Sequence, residues 1–549
     1  MTLHRHIHTL PDHFDYVMYM MFRLSALSLV FVAISTLSGC NLVKPSQLSE
    51  PEPTAQLPEA PNLLLDKVVS THYEQLPPLS PEADLWQRVR NSYKLDLTVE
   101  NDRIQSQINW FSRHQSYLDR VTDRAERYLY FIMEQVEVRD VPGELALLPI
   151  VESAFDPFAY SHGRASGVWQ FIPSTGRLYG MKQDWWYDGR RDIRLATIGA
   201  LRYLEALARE FDGDWMLALA SYNSGAGTVR KAIRKNKRAG LPTDFWSLSL
   251  PRETRAYVPK LYALAKMLQN PEKYGVNFRS LPNKPYFAVV KTGSQMDLSQ
   301  AAGMAEVEID EIYKLNPQYN QWATSPNGPH ELLIPFDKRH TFARQLAHLP
   351  EIQRIKWQRY TVQSGDSLIS IAKHFHTTPD ALKQVNPVSG NLIRVGDTLL
   401  IPTAFNSLNT YSHSAGNRLK RKQLPANAPR GTTRVDHVVQ SGDSFWELSK
   451  QHNVAVRSLA KWNGMAPTDP LKPGQKLVIW SKAPWAKNSR EVIRKIRYRV
   501  RNGDSLYRIA DKFRVSVSDI KRWNQLSSAK KYLQPGEELV LYVDVTGAG

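Results

Sequence analysis

One glutamate in an apolar stretch is the first place in this chain where residue type and spacing suggest chemistry. The segment Glu144-Leu-Ala-Leu-Leu-Pro-Ile-Val-Glu152-Ser153 follows Pro142, a residue suited to a helix start. Leu145, Leu148 and Glu152 then share one helical face. A carboxyl group on an apolar face is costly to ionise, so its pKa should rise towards the range a general acid needs near neutral pH. A buried salt-bridge partner would look the same in isolation. Three polar segments follow in order: Ser166-Gly-Val-Trp-Gln170-Phe, Ala220-Ser-Tyr222-Asn223-Ser-Gly225 and Glu253-Thr-Arg-Ala-Tyr257. Each also has a plain structural reading. Gly167 could serve a tight turn, Tyr222 could be core, and Asn223 with Gly225 could end a helix.

These residues need helices to hold them. From about 84 to 273 the pattern is helical. Residues 119–136 carry apolar side chains at helical spacing, and further helices are expected over 198–211, 214–225 and 254–268. Such a stretch can bury one substantial core. Asp156 precedes Pro157, which disfavours a helical backbone, so it need not share the face of Glu152. Asp184 and Asp188 read as capping groups or partners of Arg190 and Arg191.

Beyond residue 273 a repeat appears. Tyr360-Thr-Val-Gln-Ser-Gly-Asp366-Ser returns as His437-Val-Val-Gln-Ser-Gly-Asp443-Ser and as Tyr498-Arg-Val-Arg-Asn-Gly-Asp504-Ser. Asn386, Asn463 and Asn524 each lie 20 residues after the Asp. Each copy reads strand, turn, helix, helix, strand, with the Asp or the Ser of the turn capping the first helix. A stretch over 284–336 looks like a degenerate copy: Gly293-Ser294 lacks the Asp, and Asn316 falls 22 residues on. It reads as structural packing. The copies occupy 358–403, 436–481 and 497–544, joined by basic linkers at 404–435 and 482–496.

The chain carries a net charge of +18, which favours anionic polymers or surfaces without choosing among them. Its single cysteine excludes an intrachain disulfide and a zinc ribbon. That residue, Cys40, closes a segment of Arg23, an apolar run over 24–37 and Leu37-Ser-Gly-Cys40. The run is too short to span a bilayer and fits a signal-peptide core over 1–40. Residues 41–84 read as a Pro-rich tether, with eight prolines over 45–81. Nothing interleaves basic and aromatic residues on a nucleic-acid-binding fold, so no nucleic-acid partner is expected.

Taken in order, the Glu-Ser, Gly-x-x-Gln, Ser-Tyr-Asn-x-Gly and Glu-Thr-x-x-Tyr segments resemble the family 1 lytic transglycosylases. Leu-Ser-Gly-Cys resembles a bacterial lipobox. The repeats resemble the lysin motif (LysM), a βααβ module that binds N-acetylglucosamine polymers. These resemblances imply an α+β multidomain chain, with a mostly helical lysozyme-like catalytic domain over 85–278 followed by small βααβ LysM modules. They imply Glu152 as the single acid/base, with Ser153 orienting it. Gln170, Tyr222, Asn223 and Tyr257 would contact substrate, a peptidoglycan glycan strand. Val168-Trp169 departs from the family's usual Leu-Met, which touches subsite detail and not reaction class. Most glycosidases need two carboxylates, and no second one is evident here. The implied reaction closes the muramyl C6 hydroxyl onto C1, giving 1,6-anhydro ends with no metal or cofactor. A hydrolase on the same site, or a non-catalytic wall anchor, are the alternatives. A lipid on Cys40, followed by Asn41 and not Asp, implies an outer-membrane anchor facing the periplasm.

Overall fold

The computed structural model describes residues 69–70, 84–482, 493–513, 515–527 and 533–544. The signal segment with Cys40, and most of the expected tether, lie outside the described residues. Within that tether, Val69–Ser70 (β1) forms an edge strand on the sheet described below. The stretch 62–76 has no proline, so its backbone keeps the N–H groups a ladder needs.

Ten helices build the catalytic unit: α1 Leu85–Asn91, α2 Asp102–Ser112, α3 Gln115–Ala125, α4 Leu129–Val138, α5 Leu148–Ser153, α6 Pro173–Leu178, α7 Ile193–Glu210, α8 Trp215–Ser224, α9 Ala226–Arg238 and α10 Arg252–Gln269. The apolar stretch 119–136 is split between α3 and α4. Tyr128 leaves helical geometry there and donates its hydroxyl to Lys314 O at 2.7 Å, so a tertiary contact overrides local periodicity. α4 is buried from Leu129 through Val136, and α10 contributes Val258, Leu261, Leu264 and Leu268 to the same core. Asp214 caps α8 by accepting from Leu217 N at 3.0 Å.

The degenerate copy has strands Phe287–Lys291 (β2) and Glu331–Pro335 (β3), antiparallel, enclosing two helices. It shares a core with the catalytic unit, in which Trp186 meets Trp322 edge to face at 5.7 Å. An Arg127–Glu311 ion pair at 2.8 Å joins the same two bodies. The three full copies pair Lys356–Thr361 (β4) with Thr398–Thr403 (β5), Thr433–Val438 (β6) with Lys476–Ser481 (β7), and Ile493–Arg499 (β8) with Glu538–Asp544 (β9), all antiparallel.

The repeated Asn has one task in all four copies. Asn386 donates Nδ2 to Leu382 O and Leu400 O at 2.8 Å and accepts from Leu400 N at 2.7 Å. Asn316, Asn463 and Asn524 repeat this clamp between the second helix and the closing strand. In the turn, Ser caps the first helix, as Ser444 does by accepting from Glu447 N at 3.1 Å. Asp instead ties the turn to the strand: Asp366 accepts from Tyr360 Oη at 2.7 Å and from Gln363 N at 2.8 Å.

The expected linker 404–435 is a packed strap. Tyr411 is fully buried and donates to Asp297 Oδ2 at 2.6 Å, and the helix Ala415–Lys422 follows it. Its surface charge is what marks it as a linker in the sequence; its anchor is one aromatic residue. LysM 2 is latched to the catalytic unit by Asp469, which pairs with Arg164 at 2.7 Å and accepts from Tyr160 Oη at 3.0 Å. Among the described residues no helix is long and apolar enough to cross a membrane.

Candidate active site

The turn of α5 carries Glu152 one residue before the helix end. Ala154 and Phe155 both adopt left-handed backbone, at φ 51° and 54°. Two such non-glycine residues in succession are strained and need anchoring. Phe155 is fully buried, and Arg124 Nη1 donates to Ala154 O at 3.2 Å. Ser153 sends its hydroxyl to Pro149 O and, at 2.9 Å, to Val168 O. Its hydroxyl therefore ties down the main chain beside Glu152 and does not touch the carboxyl group.

Val168 belongs to the turn 166–171, which is held on two sides. Tyr222 Oη, at the end of α8, donates to Trp169 O at 2.8 Å. Trp169 is buried and gives its indole N–H to Thr197 Oγ1 at 2.9 Å. The departure at Val168-Trp169 therefore points into the core. Gly167 has φ 81°, and a Cβ there would meet Arg190 O at 2.3 Å, so only glycine fits. Gln170 is also left-handed, at φ 50°, and its amide donates to Gly167 O at 2.7 Å.

Tyr257, buried on α10, donates its hydroxyl to Glu152 Oε1 at 2.5 Å. Among the described residues Oε2 has no protein partner, which leaves it for a ligand. Burial pushes the Glu152 carboxyl up to about 7; the bond from Tyr257 pulls the other way, Glu253 adds to the rise and Lys260 opposes it. Burial and the nearby Glu152 charge hold the phenols of Tyr222 and Tyr257 well above their ordinary value, so both stay protonated donors. Asn223 accepts from Thr254 Oγ1 at 2.8 Å, joining the ends of α8 and α10. The signal the sequence carries for Thr254 is its place in the Glu-Thr pair.

Glu152, Tyr222 and Tyr257 are thus brought together, Asn223 borders them, and Ser153 and Gln170 shape the supporting turn. Asp156 spends Oδ1 on Phe158 N at 2.9 Å, and Asp188 is held by Arg190 at 2.8 Å. Among the described residues no cluster of three or more His, Cys, Asp or Glu is placed to hold a metal ion.

Comparison with known proteins matches the transglycosylase SLT domain to residues 129–243, the lytic transglycosylase MltD LysM-like domain to 286–351, and the LysM domain to 360–402, 437–480 and 498–541. The chain is 38% identical over 414 residues to membrane-bound lytic murein transglycosylase D of Escherichia coli (strain K12), covering 74% of this chain and 87% of that protein. The chain belongs to the membrane-bound lytic murein transglycosylase D family. It is also 35% identical over 94 residues to the cell wall-binding protein YocH of Bacillus subtilis (strain 168), 17% of this chain and 30% of that one. Among solved structures, lytic transglycosylase Slt from Pseudomonas aeruginosa matches at 23% identity and a TM-score of 0.22, over 27% of this chain and 25% of that chain. Tyr257 lies beyond residue 243, outside the segment matched by the transglycosylase SLT domain of this family member.

Proposed function

We propose that this chain cleaves the β-1,4 bond between N-acetylmuramic acid and N-acetylglucosamine in peptidoglycan, with Glu152 as the one acid and base. The observation that carries this is the Tyr257–Glu152 bond of 2.5 Å around a carboxyl group poised at about 7. Tyr257 engages Oε1, so the proton on Oε2 can pass to the glycosidic oxygen. The muramyl N-acetyl group assists departure of the leaving sugar. The Glu152 carboxylate then removes the proton of the muramyl C6 hydroxyl, whose oxygen attacks C1. A 1,6-anhydro end forms, the enzyme regains its proton, and no water is consumed. Tyr222 and Asn223 line the scissile region, and Gln170 borders it.

The LysM copies supply further contacts with the same polymer, and several weak contacts on one chain add by avidity. Lipid on Cys40 anchors the enzyme to the outer membrane, facing the periplasm. Digestion of purified sacculi with mass spectrometry of the glycan ends tests the reaction. Anhydro ends are expected; reducing ends would make it a hydrolase, and no release a wall anchor. Cys40→Ala is expected to shift the protein from the membrane to the soluble fraction on cell fractionation.

A further inference from the structure

Where the catalytic unit, the strap and LysM 2 meet, the described residues line a half-open cavity of about 730 Å³. Arg124, Arg191, Arg418, Arg421 and Lys422 line it, against two carboxylates, Asp156 and Asp188. Those carboxylates are largely committed elsewhere. Asp188 takes two bonds from the Arg190 guanidinium, at 2.9 and 2.8 Å, and stands 3.9 Å from Arg191. Asp156 closes its own turn through Phe158 N.

The cations are therefore under-compensated. Arg191 is 6% exposed and its Nε bonds nothing, although Nη2 reaches Asn320 Oδ1. Arg418 gives its donors to His413 O and Asn320 Oδ1, lies 5.1 Å over the Phe158 ring, and has no carboxylate within ion-pair distance among the described residues. Burial holds both guanidiniums below their ordinary value, Arg418 far below. His413, pushed down to about 4, is neutral near pH 7 and adds no charge. Five cations against two carboxylates leave an excess of positive charge that is costly to bury, and an anion in the cavity relieves that cost.

We propose that this cavity is a binding site for a multiply charged oxyanion, bearing carboxylate or phosphate groups, held by Arg191, Arg418 and Lys422. Two of its walls reach the catalytic residues. Arg124 holds the carbonyl two residues after Glu152, and the main chain beside Arg191 carries the Arg190 carbonyl against Gly167. A carboxylate source in the substrate's own peptide stems rests on the peptidoglycan reading above; a phosphate source does not.

Isothermal titration of the full-length protein in detergent, at low salt, separates these. The probes are inorganic pyrophosphate and a sugar-free, carboxylate-rich stem tetrapeptide. Saturable one-to-one binding is expected, weakened about tenfold or more by Arg418→Gln, the scale of a lost charge-assisted hydrogen bond. The exposed pair Arg421→Gln with Lys422→Gln should weaken it too, and decides the matter if Arg418→Gln does not fold. The tighter probe names the source. Absence of saturable binding by both probes at millimolar concentration, or binding untouched by the substitutions, overturns the site whatever the enzyme's activity.

Discussion

At the scale of single residues, the proposed chemistry turns on one proton and the phenol beside it. Glu152→Gln keeps the shape but cannot give a proton, and release of muropeptides from sacculi is expected to fall roughly 10²–10⁴-fold. The same substitution should act on stability with a definite sign. The folded carboxyl titrates at about 7, above its ordinary 4.5, so its contribution is fully present below about 4.5 and is lost as pH rises through 7. Above pH 7 Glu152→Gln should therefore be more stable than the parent, by roughly 2–3 kcal/mol in chemical denaturation. Equal or lower stability there would contradict a carboxyl whose ionisation the folded state opposes. Tyr257→Phe removes the bond that holds the pKa down. The alkaline limb of kcat/KM should move to higher pH while the plateau falls; an unmoved limb would mean that the 2.5 Å contact does not bear on the titration.

At the scale of elements, small modules depend on a few ties. The LysM 1 core consists of Val362, Leu368, Ile371, Ala372, Leu382, Leu399 and Ile401, too little apolar surface for a large margin. Asn386→Ala would orphan Leu400 N–H and two carbonyls, each orphaned buried group costing about 1–3 kcal/mol. Hydrogen exchange at the Leu400 amide should quicken strongly, while that of Leu264 in α10 stays slow. The element scale also shows what could be read from residue order. Glu152, Tyr222 and Tyr257 were legible because each sits in a short run with its own spacing, and the Asp-to-Asn interval exposed the repeats. The clamp itself was not legible, because its acceptors are main-chain carbonyls, which carry no residue signature. Nor was the bond that Ser153 makes, since its link to Val168 O joins segments 15 residues apart. The strap reads as a linker because its charged residues are all Lys or Arg with no acidic partner, whereas Tyr411 and its partner Asp297 lie 114 residues apart.

At the scale of the whole molecule, the catalytic unit and LysM 2 are one body, joined by the strap and by Asp469 against Arg164 and Tyr160. The pair Arg164→Gln with Tyr160→Phe removes both contacts and leaves the bond that Asp469 accepts from Ala466 N inside LysM 2. Digests of sacculi by that variant should differ from the parent in fragment sizes, read by chromatography, more than in total release. The latch would make the enzyme a gauge. A strand gripped by LysM 2 would be held at a constant offset from the blade, and cuts would fall in register with the grip. The polymer would then be pared into a preferred size class; without that offset, fragment lengths would follow chance encounters.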